Sequence, residues 1–175
     1  DARALVRFLE RAAPGPVGVM GVSLGGMVAL ALSCFEERLA FSIPVAAHLD
    51  LAGVLADASL LKPMRVELAS HGWAPRDVDD FSRSLGLSEL TPSIPTERML
   101  FIAGKHDRLL SAHRTEELWA RWDRPPIHWL DSGHLGIFTH MGESLDVSRD
   151  FLAGLGLVPE RAVAEAPPPL LVPAT

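Results

Sequence analysis

The sequence predicts an α/β domain whose strands form a parallel β-sheet. Four short apolar runs, each bounded by turn residues, have the composition of buried strands. Segments with helical periodicity lie between them, and strands that alternate with helices indicate a parallel sheet. The length of 175 residues fits one domain, and the sequence contains no internal repeats.

The composition is typical of a soluble globular protein, with 48% hydrophobic and 22% charged residues. The net charge of −6 and the lack of any Lys/Arg-rich run argue against nucleic acid or an anionic membrane as a partner. A single cysteine, Cys34, excludes an internal disulfide and fits the reducing cytoplasm, where we expect the protein to be. No apolar run reaches the roughly 18 residues of a membrane span, and no signal peptide is visible.

The first part of the chain contains two helices and two strands. The predicted elements are a helix at 1–12, a strand at 16–23, a helix at 24–39 and a strand at 40–48. Leu5, Phe8 and Leu9 share one face of the first helix. Pro44 weakens the second strand because proline cannot donate to a β-ladder. The sequence starts at Asp1 with a helix typical of a domain interior, so we expect it to begin part-way through a larger protein.

The second part completes the sheet after a helical insert. Residues 49–95 show helical periodicity broken at Pro63, Gly72 and Pro75, which predicts two to four short helices. The elements after it are a strand at 98–107, a helix at 111–123, a strand at 126–134 and a helix at 141–156. We expect a domain at 1–158 and a disordered Pro/Ala-rich tail at 159–175.

Ser23 lies in a Gly-x-Ser-x-Gly pattern between a buried strand and an Ala-rich helix. A sharp strand-to-helix turn can hold such a serine at positive φ with its hydroxyl exposed. Gly21 and Gly25 then keep side chains out of the turn, and Gly26 lets the helix pack closely on the strand. The alternative is a glycine-rich turn that contains an incidental serine. The position between strand and helix favours a nucleophile.

A serine nucleophile needs a histidine base, which in turn needs a carboxylate. Asp107 ends the third predicted strand, and His134 follows the fourth. Both therefore lie at the carboxyl ends of strands, where parallel sheets place their reacting groups.

These motifs resemble those of the α/β-hydrolases. "GVSLGG" resembles the nucleophile elbow of that family, "GKHDRLL" its acid loop and "SGH" its histidine loop, and the order matches over residues 1–156. The resemblance implies that Ser23 is the nucleophile, Asp107 the acid and His134 the base. It also implies that the chain is the C-terminal half of such a sheet, with four mostly parallel strands, helices on both faces and a helical cap at about 49–95.

The resemblance also raises an expectation about what the sequence lacks. An oxyanion hole needs two backbone N–H donors, and Leu24 can supply one. The second comes from a loop after the third strand of the family's sheet, for which we find no matching segment. We therefore expect low activity from this chain alone, and an exposed edge at the first strand that could pair in a homo-oligomer.

Other polar and aromatic residues are weaker candidates. Asp131 and Asp123 are expected to be turn residues, and His106 to point away from Asp107. We expect His48 at the surface, with the substrate pocket as the alternative, and Trp73 is the aromatic residue that could contact substrate. Four other histidines have no shared spacing that suggests a metal site: His71, His113, His128 and His140. Cys34 and three tryptophans are expected to be packing residues: Trp119, Trp122 and Trp129.

The sequence therefore predicts a serine hydrolase that cleaves a small-molecule carboxylic ester or related acyl bond, without a cofactor or metal. An acyltransferase on the same three residues and a non-catalytic protein that keeps the fold are the alternatives. The sequence does not identify the substrate. A leucine-rich insert suggests an apolar acyl or alcohol group, but packing on the core explains the same composition.

Overall fold

The computed structural model describes residues 2–12 and 15–159. The helices are α1 (Ala2–Ala12), α2 (Leu24–Phe35), α3 (Leu51–Asp57), α4 (Lys62–Ser70), α5 (Pro75–Ser84), α6 (Ala112–Arg121) and α7 (Met141–Gly154). The strands are β1 (Val19–Val22), β2 (Ser42–Val45), β3 (Phe101–Gly104) and β4 (Ile127–Leu130), each within its predicted range. Apart from Pro159, the predicted tail lies outside the described residues.

The four strands form one parallel sheet in the order β1-β2-β3-β4. The predicted α/β fold class with a parallel sheet is confirmed. Pro44 lies within β2, opposite Gly21 of β1. On the other side, the Ser42 carbonyl accepts a bond from the Leu100 N–H, and the Ala46 N–H donates to the Ile102 carbonyl. Pro44 has no N–H to add between these bonds, yet the strand forms because its flanking residues complete the pairing.

Two apolar cores cover the two faces of the sheet. Helices α1, α2 and α6 lie on one face, where Leu30, Leu118 and Trp122 pack against Phe101 of β3. Helix α7 lies on the other face, where its apolar residues pack against strand residues that include Ile102. Phe101 and Ile102 are neighbours in β3 but belong to different cores, because successive side chains of a strand point to opposite faces of the sheet.

Helix α1 forms where it was predicted, but its apolar face is exposed. Of its residues only Val6 is buried, whereas Leu5 and Phe8 are 56% and 63% exposed. Periodicity shows that a face is apolar, but no described element of the fold covers this one.

Helix α2 ends at Phe35, four residues before its predicted end. The next residue, Glu36, is buried, and Arg38 donates two side-chain hydrogen bonds to it, at 2.7 and 2.6 Å. Arg3 of α1 also reaches Glu36 at 3.5 Å. These bonds hold the pKa of Glu36 at about 2, against an ordinary 4.5. The chain thus leaves the helix at a buried carboxylate whose partners are one nearby arginine and one distant arginine.

The chain between β2 and β3 forms the helical insert, which we define as residues 51–89. It contains α3, α4 and α5 and two short 3₁₀ turns. Helix α3 begins six residues after β2, and the Asp50 carboxylate accepts a bond from the Gly53 N–H at its N-terminus. Within the described ranges, no helix is both long and apolar enough to cross a bilayer.

Candidate active site

Ser23 occupies the turn between β1 and α2. Its backbone has φ 56° and ψ −117°, a conformation that costs a non-glycine residue of order 1–3 kcal/mol. The Ser23 N–H donates to the Val45 carbonyl at 2.9 Å, and the Ser23 carbonyl accepts from the Met27 N–H at 2.9 Å. The turn is therefore fixed by β2 on one side and by the first turn of α2 on the other.

The glycines around Ser23 do not all have the expected role. A Cβ at Gly21 would collide with the carbonyl group of Gly25, so Gly21 must stay small. A Cβ at Gly25 itself would meet nothing within 4 Å among the described residues. A Cβ at Gly26 would lie 2.6 Å from Ala47 Cβ and 2.7 Å from the Val45 carbonyl oxygen. Close packing therefore requires Gly21 and Gly26, and the steric argument made for Gly25 is wrong here.

Asp107 and His134 are adjacent to Ser23 although they are distant in sequence. Ser23 Oγ lies 2.9 Å from His134 Nε2, and His134 Nδ1 lies 2.7 Å from Asp107 Oδ2. The Asp107 side chain is 1% exposed and that of His134 is 10% exposed. The structure thus brings the three predicted site residues into one hydrogen-bonded chain.

The second oxygen of Asp107 has its own partners. Asp107 Oδ1 accepts hydrogen bonds from the Leu109 N–H at 2.9 Å and the Leu110 N–H at 2.8 Å. Oδ2 is left for the imidazole, which donates from Nδ1 and accepts from the serine hydroxyl at Nε2. The sequence analysis missed these two amides, although a loop that turns back directly after an aspartate is a recognisable signal.

Leu24 is the first residue of α2, directly after Ser23. The first N–H groups of a helix have no partner within the helix, so the Leu24 amide is available to an oxyanion near Ser23. The Leu24 side chain is 73% exposed, and Leu135, directly after His134, is 71% exposed. An apolar rim therefore flanks the polar groups.

Comparisons with known proteins identify the fold. An esterase from Pyrococcus furiosus superposes with a TM-score of 0.60 at 19% identity, over 88% of this chain and 60% of that one. An enol-lactonase from Burkholderia xenovorans gives a TM-score of 0.51 at 16% identity, over 86% of this chain and 70% of that one. A hydrolase from Pseudomonas aeruginosa gives 0.53 at 19% identity, over 85% and 69%. The chain has the α/β-hydrolase fold.

Two sequence relatives of the chain are themselves uncharacterized proteins. One, from Mycobacterium tuberculosis, is 32% identical over 128 residues, which are 70% of this chain and 29% of the relative. Another, from Bacillus subtilis, is 28% identical over 76 residues, 43% of this chain and 66% of the relative. The match thus covers less than a third of the length of the first relative. No family model matches the chain.

The α/β-hydrolase fold places the competing carboxylates and histidines away from Ser23. His106 Nε2 lies 2.9 Å from Asp131 Oδ1, and both side chains are more than two-thirds exposed. Asp123 lies in a turn with φ 63°. His128 and His140 share the carboxylate of Glu143 and so lower its pKa. No group of three or more possible metal ligands occurs within residues 2–12 and 15–159.

His48 is buried, so its expected surface position is wrong. The residue is only 1% exposed, and burial lowers the pKa of its side chain to about 4. His48 Nδ1 accepts a hydrogen bond from the Asp50 N–H at 3.1 Å. The residue lines a cavity of about 560 Å³, but the described lining of that cavity contains none of Ser23, Asp107 and His134.

Trp73 lies in the helical insert and is 41% exposed. Its ring packs edge-on against Phe81, with centroids 6.1 Å apart, and it lines a second cavity of about 370 Å³. The described lining of this cavity also contains none of Ser23, Asp107 and His134. Trp73 as a substrate contact stays a prediction. Cys34 packs against the core as expected, and burial raises its pKa to about 11.

Proposed function

We propose that the protein is a serine hydrolase that cleaves carboxylic esters through a covalent acyl-enzyme on Ser23. The observation that carries this proposal is the unbroken hydrogen-bond chain from Ser23 Oγ through His134 to Asp107, with separations of 2.9 and 2.7 Å. These distances lie within the range of a nucleophile, its base and the group that orients the base. Ser23 at φ 56° adds support, because backbone strain of this kind clusters at active sites.

In the acylation step Ser23 Oγ attacks the ester carbonyl carbon, and the hydroxyl proton moves to His134 Nε2. Asp107 stabilises the resulting imidazolium through Nδ1–H and keeps its own charge, since the proton stays on the histidine. The C–O bond to the alcohol then breaks, and His134 returns the proton to the departing oxygen. In the second half, water gives a proton to His134 Nε2 and attacks the acyl carbon. The bond from that carbon to Ser23 Oγ then breaks, and His134 returns the proton to Oγ, which releases the carboxylic acid and restores Ser23.

The negative charge on the carbonyl oxygen needs backbone donors. The Leu24 N–H is one such donor among the described residues, and loss of one donor from an oxyanion hole costs about 10²–10³ in rate. A covalent probe is therefore a better first test than turnover, since it reports the nucleophile even when hydrolysis is slow.

The test is labelling of the 175-residue chain with a fluorophosphonate, followed by mass spectrometry of the modified peptide. We expect a single adduct on Ser23, lost in Ser23→Ala and strongly slowed in His134→Ala. Ser84→Ala is the matched control, because Ser84 is an exposed serine whose hydroxyl bonds only locally to the Phe81 carbonyl. Labelling at full rate in Ser23→Ala, or an adduct elsewhere, would contradict the proposal.

A further inference from the structure

Two neighbouring cavities lie at the helical insert, away from Ser23. The first, of about 560 Å³, lies between α3, α5 and α6, and we call it the polar chamber. The second, of about 370 Å³, lies between α3, α4 and α5, and we call it the apolar chamber. Both are lined by Ala52, Ala56 and Asp79. Ala52 and Ala56 are four residues apart on α3 and share one face, so their small side chains form the boundary between the chambers.

His48 lines the polar chamber, and one hydrogen-bond donor of its ring has no partner among the described residues. Burial lowers the pKa of His48 to about 4, so its ring is neutral near pH 7. Nδ1 accepts from the Asp50 N–H, which places the single ring proton on Nε2. No residue of the described ranges accepts a hydrogen bond from Nε2. A 1%-exposed histidine thus lines the chamber with an unused donor, which a ligand oxygen would satisfy.

The charges around the polar chamber do not favour a fully charged ligand. Its lining contains three arginines and four carboxylates, among them Asp50 paired with Arg114 at 3.1 Å and Asp79 paired with Arg83 at 2.8 Å. A carboxylate or an ammonium group would be attracted by one set and repelled by the other. Hydroxyl groups both donate and accept, so they can pair with either set and with His48.

The apolar chamber fits a hydrocarbon chain. Its walls include Leu55, Leu68, Val78 and Trp73. Three charged residues also line it, Arg65, Arg76 and Asp79. The Arg65 guanidinium donates to the carbonyls of Leu55 and Ala58, at 3.2 and 2.7 Å, so its charge is already engaged. Arg76 and Asp79 are paired with Asp77 and Arg83, at 3.6 and 2.8 Å. Clefts of this size with mostly apolar walls are the usual form of small-molecule sites.

We propose that the helical insert binds an uncharged amphiphile, with a hydroxylated head in the polar chamber against His48 and a single alkyl chain in the apolar chamber past Ala52 and Ala56. The site is distinct from the hydrogen-bonded chain at Ser23, and the proposal does not depend on hydrolase activity. The small face of α3 is the structural reason that one ligand can occupy both chambers.

The test is calorimetric titration of the 175-residue chain with 1-O-octylglycerol below its critical micelle concentration. This probe has an ether bond, so a serine esterase cannot consume it. We expect one binding site and, since each buried methylene contributes about fourfold, an affinity about 15-fold weaker for 1-O-hexylglycerol. Octanoate and octylammonium, with the same chain and charged heads, should each bind at least about tenfold more weakly because the lining contains both charges.

Substitutions locate the site. Ala56→Leu should weaken binding of octylglycerol at least about tenfold by closing the boundary, whereas Ala120→Leu, at an exposed position of α6 outside both linings, should not change it. His48→Phe keeps the ring volume and should weaken binding through loss of the donor. Circular dichroism of each variant checks that it is folded, and Ser23→Ala should bind as the parent does.

Four results would overturn the proposal, three of them on the insert itself and one on Ser23. The first is no binding of octylglycerol. The second is equal binding of the charged and uncharged heads. The third is equal binding by folded Ala56→Leu and Ala120→Leu. If binding is lost in Ser23→Ala, the ligand occupies the proposed active site, and the separate site in the insert does not exist.

Discussion

The glycines after Ser23 give the sharpest prediction about the turn. We expect Gly26→Ala to destabilise the protein and Gly25→Ala to be neutral or stabilising, although Gly25 is the one in the Gly-x-Ser-x-Gly pattern. The two residues are adjacent in α2, so the same methyl group is added to the same helix in both cases. The difference comes from what that methyl group meets.

The magnitude follows from the contacts. At Gly26 the new Cβ would lie 2.6 Å from Ala47 Cβ, about 1 Å inside the optimal carbon–carbon distance of 3.5–4.0 Å. The Val45 carbonyl oxygen, at 2.7 Å, belongs to the β2 backbone and cannot move without disturbing the Ser23 N–H bond. Overpacking of this kind costs about 1–3 kcal/mol. At Gly25 the space is open, and removal of glycine freedom from the unfolded chain stabilises by about 0.4–1 kcal/mol.

Urea unfolding followed by circular dichroism measures both variants against the parent chain. Gly26→Ala should lower the free energy of unfolding by about 1–3 kcal/mol, with an unchanged dependence on urea. Fluorophosphonate labelling then shows whether displacement of β2 also moves Ser23. If Gly25→Ala proves the more destabilising of the two, the assignment of the close packing to Gly26 is refuted.

Three further predictions concern charges. Asp107→Asn should slow fluorophosphonate labelling of Ser23 by several orders of magnitude, as the equivalent change slows a serine protease about 10⁴-fold, whereas Asp131→Asn at an exposed pair should change the rate little. Because Arg38 lowers the pKa of Glu36 to about 2, the ionised Glu36 contributes its full stability to the fold above pH 4.5 and loses it as pH falls from 4.5 to 2. In acid unfolding, Arg38→Met should reduce the dependence of the free energy of unfolding on pH between pH 4.5 and 2. Burial lowers the pKa of His48 from 6.5 to about 4, so on acidification the unfolded chain takes up the proton at a higher pH than the folded chain does. The free energy of unfolding should therefore fall by about 3 kcal/mol between pH 6.5 and 4, and His48→Phe should lack this loss.

The sequence was most informative where a local pattern determines the structure. Short apolar runs between turns located all four strands, and helical periodicity located the helices. The order of Ser23, Asp107 and His134 at strand ends placed them at one edge of the sheet, because parallel strands have their carboxyl ends together. These inferences need only periodicity and the direction of the chain.

Other features depended on partners that are distant in sequence. Periodicity identified the apolar face of α1, but it did not show that Val6, on another side, is the buried residue. His48 is polar and lies near a loop, so its burial could not be inferred from its neighbours in sequence. Helix α2 ends just before Glu36, a buried carboxylate that Arg3 reaches from 33 residues away and that Arg38 also binds. Local preferences alone do not reveal such contacts.

The contrast between Asp107 and Asp131 shows how the fold selects which carboxylate meets His134. Both carboxylates lie beside a histidine in space, but backbone bonds between the acid loop and the histidine loop separate the two pairs. The Lys105 N–H donates to the Leu130 carbonyl at 2.9 Å, and the His106 N–H donates to the Ser132 carbonyl at 3.0 Å, which extends the β3–β4 pairing beyond the strands.

This extension determines where the two loops lie before any side chain is considered. In the turn after β3, His106 faces solvent with Asp131, whereas Asp107 turns inward to His134. Asp107 is further held by two amides of its own loop, and Ser23 is held by the Val45 carbonyl. Ser23 and Asp107 are thus each positioned by backbone groups outside that chain. Under the proposed function, side-chain substitutions at Ser23 or Asp107 should therefore change the chemistry while the loops stay in place, which is the preorganisation that electrostatic catalysis requires.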